Sequence, residues 1–332
     1  MAAVHIPQPE LVGREAEFDA IESFLSRRES DGPPALVLEG EAGIGKTTLW
    51  REGLALADAR SYRVLVARPA SPEFEMPFAG LADLLGGSVD DVLPRLPEPQ
   101  RQALATALLL VEPDGSPPRP HTIAAAVLSY LRELSRADPV LVAIDDVQWL
   151  DSSSRGALEF ALRRIVEDRR ITFLYSWRTG GDERPPLSAD GLRDGSVQRV
   201  NVGPLSLGAL HRVITTHLGH SLSRPVLARV HAVSGGNPFF ALELARVADQ
   251  RRVPTAALEL PYPRVSPTRS GSASRLSLQA RGTRWSQSLQ SRLRRSTCSK
   301  GLSGRTRDPD SSQQSTPGCS SSTRAASVSR TR

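Results

Sequence analysis

Two rhythms of apolar and polar positions run through the first 260 residues. From Leu11 onward a period near 3.6 puts Phe18, Ile21, Phe24 and Leu25 on one helical face, and Asp31-Gly32-Pro33-Pro34 ends it. Ala35 to Leu38 is a short continuous apolar run of the kind that forms a buried strand. A glycine-rich loop, Gly40 to Gly45, follows, and Thr47 to Ala59 reads as a helix. Tyr62 to Ala67 is a second strand run. Pro77 to Leu85, Pro99 to Leu110 and Thr122 to Leu134 read as helices separated by Pro/Gly breaks. Val140 to Ile144 is a third strand, Ile171 to Trp177 a fourth and Val197 to Val202 a fifth. Between the third and fourth, Asp151 is a side-chain cap for a helix to about Val166. Three helices then follow without strands. Ser206 caps the first, through His217. The second runs from Pro225 to Val233. The third runs from Pro238 to Ala248, with Asn237 as its cap and Pro238 at its first position.

Strands alternating with helices predict an α/β fold, a parallel sheet covered on both faces in a three-layer sandwich. The expected division is an α/β domain over 1–203, a small helical subdomain over 204–261 and a tail over 262–332. In the tail Ser and Arg dominate and no period survives, so it is expected to be disordered.

Charge sharpens that boundary. The tail, Tyr262 to Arg332, holds 14 Lys+Arg against 2 Asp+Glu, whereas residues 1–261 hold 28 against 34. The high isoelectric point therefore belongs to the tail, and the body is mildly acidic. Such a tail is open to electrostatic binding of nucleic acid. It is also open to a plainer reading that we favour, a reading-frame shift near Pro261 to Pro267 in a GC-rich gene. The two cysteines, Cys298 and Cys319, both fall in the tail, so there is no disulfide framework or zinc spacing. No apolar run approaches the roughly 20 residues that span a bilayer, and the N-terminus has no signal-peptide pattern. A cytoplasmic protein without membrane contact is expected.

Gly40-Glu41-Ala42-Gly43-Ile44-Gly45-Lys46-Thr47, followed by Thr48, matches the phosphate-binding G-x-x-x-x-G-K-[ST] pattern in full and sits between a strand and a helix. Its glycines allow backbone N–H groups to turn onto phosphate oxygens, at a helix N-terminus that favours negative charge. Lys46 is assigned to the β- and γ-phosphates and Thr47 to Mg²⁺. Lys46 is the one lysine of the body; Lys300 is the other in the chain. A phosphate site needs a compact ammonium where every neighbouring cation is arginine. The third strand ends in Asp145-Asp146. Alone that is a common pattern. A hundred residues after a phosphate loop it assigns Asp145 to the metal and Asp146 to the attacking water. Arg178, after the fourth strand, either reaches the γ-phosphate or is a solvated loop residue. His121, His211, His217, His220 and His231 show no metal spacing and read as surface or packing residues.

Six stretches together resemble the STAND class of P-loop ATPases, and more narrowly the ATPase module of large LuxR-type bacterial transcriptional regulators. They are Leu11-Val12-Gly13-Arg14-Glu15; Gly40 to Thr48; Pro77 to Leu85; Ile144-Asp145-Asp146-Val147-Gln148-Trp149-Leu150-Asp151; Val202 to Ser206; and Ser234-Gly235-Gly236-Asn237-Pro238 through Leu244. The resemblance spans about Leu11 to Arg252. It implies a sheet of order 5-1-4-3-2, ATP at the strand C-termini and slow hydrolysis used as a switch. It also implies nucleotide roles for Lys46, Thr47, Asp145, Asp146 and Arg178, with Val12 to Glu15, Val12 and Arg14 included, on the adenine side. Self-association on ATP binding belongs to the same set of expectations. Family members continue into a winged helix, a helical-repeat sensor and a helix-turn-helix. Here the resemblance stops near Pro261, so direct DNA contact is not expected. The rival readings are a DNA-binding regulator acting through the basic tail, and a non-catalytic remnant.

Overall fold

The computed structural model describes residues 11–26, 33–70, 74–112, 117–165, 170–179, 187 and 197–251, all within one compact unit. The tail over 262–332, with the disorder expected of it, lies outside the described residues.

Five parallel strands form one sheet: β1 (Ala35–Gly40), β2 (Arg63–Ala67), β3 (Val140–Ile144), β4 (Ile171–Arg178) and β5 (Val197–Asn201). Their order across the sheet is β2-β3-β4-β1-β5. Read from the other edge, this is the expected 5-1-4-3-2. The strand that feeds the phosphate loop therefore lies between β4 and β5, and β4 separates it from β3.

Strand alternation explains the three layers. Ala35 and Val37 of β1, with Val140, Val142 and Ile144 of β3, face one core; Leu36 and Leu38, with Leu141 and Ala143, face the other. Because both faces are covered, the central strands β1, β3 and β4 are largely apolar, whereas the edge strand β5, Val-Gln-Arg-Val-Asn, alternates and stays partly exposed. The second core is closed by α1 (Glu15–Ser26) and α2 (Lys46–Ala59), through Ile21, Leu25, Leu49 and Trp50. The first is closed by α3 (Ala79–Leu85), α4 (Val89–Val92), α5 (Glu98–Ala107), α6 (Pro120–Ser135) and α7 (Ser152–Leu162). A single-turn segment, Gly86–Ser88, α4 and another, Leu93–Arg95, were not legible as separate elements, since each is too short to show a period.

Asp151 does more than cap α7. Its carboxylate accepts from Ser154 N at 2.8 Å, and also from Phe78 N at 2.9 Å and Gly80 N at 3.1 Å. One buried side chain thus satisfies the N-termini of two helices and ties α3 to α7.

After β5 the chain builds a third, smaller core from α8 (Leu207–Leu218), α9 (Arg224–Ser234) and α10 (Pro238–Arg251). Ser206 caps α8 by accepting from Ala209 N, as its position predicts. Val12, from the N-terminal segment, and Leu205 are buried in this helical core. The segment before α1 is thereby held against the three helices.

Candidate functional site

The loop between β1 and α2 turns sharply. Gly43 has φ 77° and Gly45 φ 109°, a backbone region that side chains with a Cβ rarely adopt. A Cβ on Gly43 would also lie 2.7 Å from Phe239 Cβ, so only glycine admits the helical layer this close.

Lys46 opens α2 and is buried. Its Nζ donates to Gly40 O at 2.9 Å and Glu41 O at 2.8 Å. Burial pushes its pKa down to about 8; Asp146 pulls the other way and Arg178 adds to the fall. Thr47 Oγ1 lies 3.3 Å from Asp145 Oδ1, across from the end of β3. The same Asp145 oxygen accepts the Ser176 hydroxyl of β4 at 2.6 Å, and Ser176 Oγ accepts from Asp146 N at 2.7 Å. Asp146 is held at φ 53°, a left-handed conformation that turns its side chain out of the strand line. Gln148 Nε2 donates to Asp146 Oδ1 at 2.9 Å, and Arg178 NH2 lies 3.6 Å from Asp146 Oδ2. Arg178 N donates to Gln148 Oε1, and Arg178 Nε is buried with no acceptor among the described residues.

Arg14 is buried and bridges two elements: its guanidinium donates to Ile44 O at 2.8 Å and pairs with Glu17 at 2.9 Å. On the other side of the loop, Asn237 Nδ2 donates to Ala42 O at 3.0 Å and Phe239 N to Gly43 O at 3.3 Å.

These groups surround one cleft of about 450 Å³. Its wall includes Val12, Arg14, Gly43, Ile44, Gly45, Lys46, Thr47, Thr48, Asp146 and Arg178, all expected from sequence. Gly40, Glu41 and Asp145 stand behind that wall and touch it through their hydrogen bonds to Lys46 and Thr47, and Ala42 is bonded to Asn237, which also stands outside the wall. The remaining wall is mostly apolar and comes from Leu11, Leu205, Val213, Pro238, Phe239 and Leu242, with Thr216 and His217. His217 therefore stands at the cleft, which its reading as a surface or packing residue did not anticipate. Ser176, Gln148 and Asn237 were also not anticipated as site residues. Ser176 had a signal: it is a small hydroxyl near the C-terminal end of the strand, directly after the buried run Phe173-Leu174-Tyr175. Among the described residues no group of three His, Cys, Asp or Glu side chains is placed to hold a metal by itself.

A buried lysine at a helix start, glycine amides around it and a strand-end carboxylate beside the next hydroxyl form the polar end of this cleft. The sequence of residues 10–174 matches the AAA ATPase domain family. This part of the chain is an AAA-type P-loop ATPase domain. No curated protein matches the chain in sequence. Among solved structures, the chain is similar to a replication initiator DnaA bound to AMPPCP and single-stranded DNA, at 13% identity and TM-score 0.42, over 73% of this chain and 62% of that one. It is similar to a STAND protein with a tetratricopeptide repeat sensor from Pyrococcus horikoshii, at 17% identity and TM-score 0.41, over 71% of this chain and 30% of that one. A third is AMPPCP-bound DnaA from Aquifex aeolicus, at 16% identity and TM-score 0.41, over 71% and 61%. The chain thus spans less than two thirds of the length of each. The ATPase domain supplies the cleft's polar side. Its apolar side is shared with helices that follow the matched residues. No helix among the described residues is long and apolar enough to cross a membrane.

Proposed function

We propose that the chain is an ATP- and Mg²⁺-dependent switch module from a cytoplasmic transcriptional regulator of the LuxR type. The observation that carries this reading is the shared cleft: the phosphate loop and Asp146 form one side of it, and α8 and α10 form the other. A nucleotide filling it touches both the sheet lobe, residues 1–203, and the helical lobe, residues 204–261. Its presence or hydrolysis then biases how the two sit.

The residues suit a triphosphate. Lys46 brings a buried cation to the β- and γ-phosphates, and phosphate oxygens can replace its two carbonyl contacts. Among the described residues Arg178 Nε is a buried donor without an acceptor, so an anion arriving beside it supplies one. The metal also fits. Thr47 Oγ1 and Asp145 Oδ1 are hard oxygen donors 3.3 Å apart. That pair suits Mg²⁺, which takes few protein ligands and completes its shell with water and phosphate. When bound, the ion supplies charge neutralisation at the phosphate oxygens. Asp146, turned outward and held by Gln148, accepts a proton from water as its oxygen bonds to the γ-phosphorus. The bond from that phosphorus to the β–γ bridging oxygen breaks, and ADP and phosphate leave. Val12, Arg14 and the apolar wall take the base side.

Calorimetric titration of the full chain with ATP and Mg²⁺ tests the reading. Lys46→Ala is expected to weaken ATP binding by about 10- to 100-fold, the size of a charge-assisted contact. Asp146→Asn is expected to retain ATP and lose phosphate release. Unchanged ATP affinity in Lys46→Ala would discard the site.

A further inference from the structure

The carbonyls of the phosphate loop are taken up one after another. Gly40 O accepts from Thr179 N and Lys46 Nζ, and Glu41 O from Lys46 Nζ and Ile44 N. Ala42 O accepts from Asn237 Nδ2, Gly43 O from Phe239 N and Ile44 O from Arg14 NH2. A trans peptide is planar, so its N–H points opposite to its C=O. Drawing the Ala42 and Ile44 carbonyls outward therefore turns the Gly43 and Gly45 N–H groups inward. Among the described residues neither of these amides has an acceptor. The loop's anion-binding face is thus set partly from outside the loop. Two of the outside donors, Asn237 Nδ2 and Phe239 N, belong to the start of α10.

We propose that Asn237 is a positioning residue for the phosphate loop: its side-chain amide holds the Ala42–Gly43 peptide in the phosphate-binding orientation. Docking of α10 and affinity for the phosphate chain are thereby coupled. This deepens the nucleotide reading above and rests on it. Asn237 has two separable jobs. Its Oδ1 accepts from Phe239 N at 3.1 Å and caps α10, while its Nδ2 grips the loop. Serine keeps a capping oxygen and is too short, and lacks the donor geometry, to reach Ala42 O. Coupling runs both ways, so bound phosphate also tightens α10 onto the loop.

The test compares full-length wild type and Asn237→Ser. ATP, ADP and adenosine are titrated, and amide exchange over residues 40–48 is followed by mass spectrometry without nucleotide. The variant is expected to bind ATP and ADP roughly fivefold more weakly, the scale of one net hydrogen bond. Its adenosine affinity should be unchanged, and its loop amides should exchange faster. A residue that merely supports the fold would weaken all three ligands alike, and that result overturns the proposal; so does unchanged ATP affinity with unchanged exchange. If wild type itself binds no ATP, the nucleotide reading fails. Exchange alone then decides: faster loop exchange in the variant upholds the clamp, and identical exchange removes it.

Discussion

The sheet lobe and the helical lobe contribute to the same cleft by different physical means. In the sheet lobe, β1, β3 and β4 are buried on both faces, so the groups at their C-terminal ends stand on a rigid base. Lys46, Thr47, Asp145, Asp146 and Ser176 hydrogen-bond to one another or to the loop within a few ångströms. The helical lobe has a smaller core, and it needs Val12 and Leu205 from outside its helices to fill it. Phe239 and Phe240 at its edge remain 56% and 44% exposed. It reaches the loop through one side chain and one helix-start amide. A lobe that contributes contacts but little core is the part able to move, because local opening is cheapest where buried apolar contact is least.

That contrast predicts two different failures on core truncation, the largest effects expected here. Phe173→Ala, at the centre of the sheet, should cost about 3–5 kcal/mol and weaken the entire unit. Leu227→Ala in α9 should loosen the helical lobe and lower ATP affinity while the sheet lobe unfolds at nearly its original urea concentration. Trp50, Trp149 and Trp177 all lie in the sheet lobe, so with the fourth tryptophan, Trp285 of the tail, replaced by phenylalanine, fluorescence reports that lobe, whereas far-ultraviolet dichroism reports every helix. In Leu227→Ala the two probes should separate. Coincident transitions, shifted equally by both variants, would mean that the lobes form one cooperative block and would break the comparison.

The same contrast explains what could be read from the sequence. The phosphate loop is contiguous, and its chemistry follows from residue types at fixed spacing, so Gly40 to Thr48 was legible in full. The central strands β1, β3 and β4 were legible because burial on both faces leaves nearly continuous apolar runs, whereas the edge strand β5 keeps polar residues between its valines. Arg14 was tied to the nucleotide only through a resemblance, and its grip on Ile44 O, thirty residues away, has no local signal. Asn237 could be read as a helix cap, since capping is local; its bond to Ala42 spans 195 positions and depends on how two lobes meet. Gln148 and Val213 share that limitation. Each is an ordinary residue whose role exists only once β4 or α8 is set beside the loop.

A middle-sized effect separates the lobes by pH. Burial lowers the Lys46 pKa to about 8, and bound phosphate would raise it by supplying counter-charge. The complex then holds one more proton than the free protein once pH exceeds about 8. ATP binding should therefore take up a proton and weaken with rising pH, by at most about tenfold for each pH step above that value. Below about pH 7 the lysine is charged in both states and this dependence should vanish. Titrations between pH 6.5 and 9.5 in buffers of different ionisation enthalpy measure both the slope and the proton uptake. Adenosine, which lacks phosphate, should show neither. A flat ATP profile through pH 9 would separate Lys46 from the phosphates and with it the polar side of the cleft from the sheet lobe.

The smallest effect tests the apolar side. Val213 of α8 lies in the cleft wall beside the helical core. Val213→Ala removes two methyl groups from a half-covered surface, which is worth about 1 kcal/mol or less, a loss of up to roughly fivefold in affinity. If this wall holds the base, ATP, ADP and adenosine should all lose by the same factor, because each carries the same ring. That pattern is the reverse of the one expected from Asn237→Ser, which spares adenosine. Together the two variants divide the helical lobe into a part that holds the base and a part that shapes the loop. Should Val213→Ala weaken ATP but leave adenosine untouched, the base does not lie against α8. The helical lobe would then meet the nucleotide through its phosphates alone, and its motion would respond to phosphate number with no contribution from the ring.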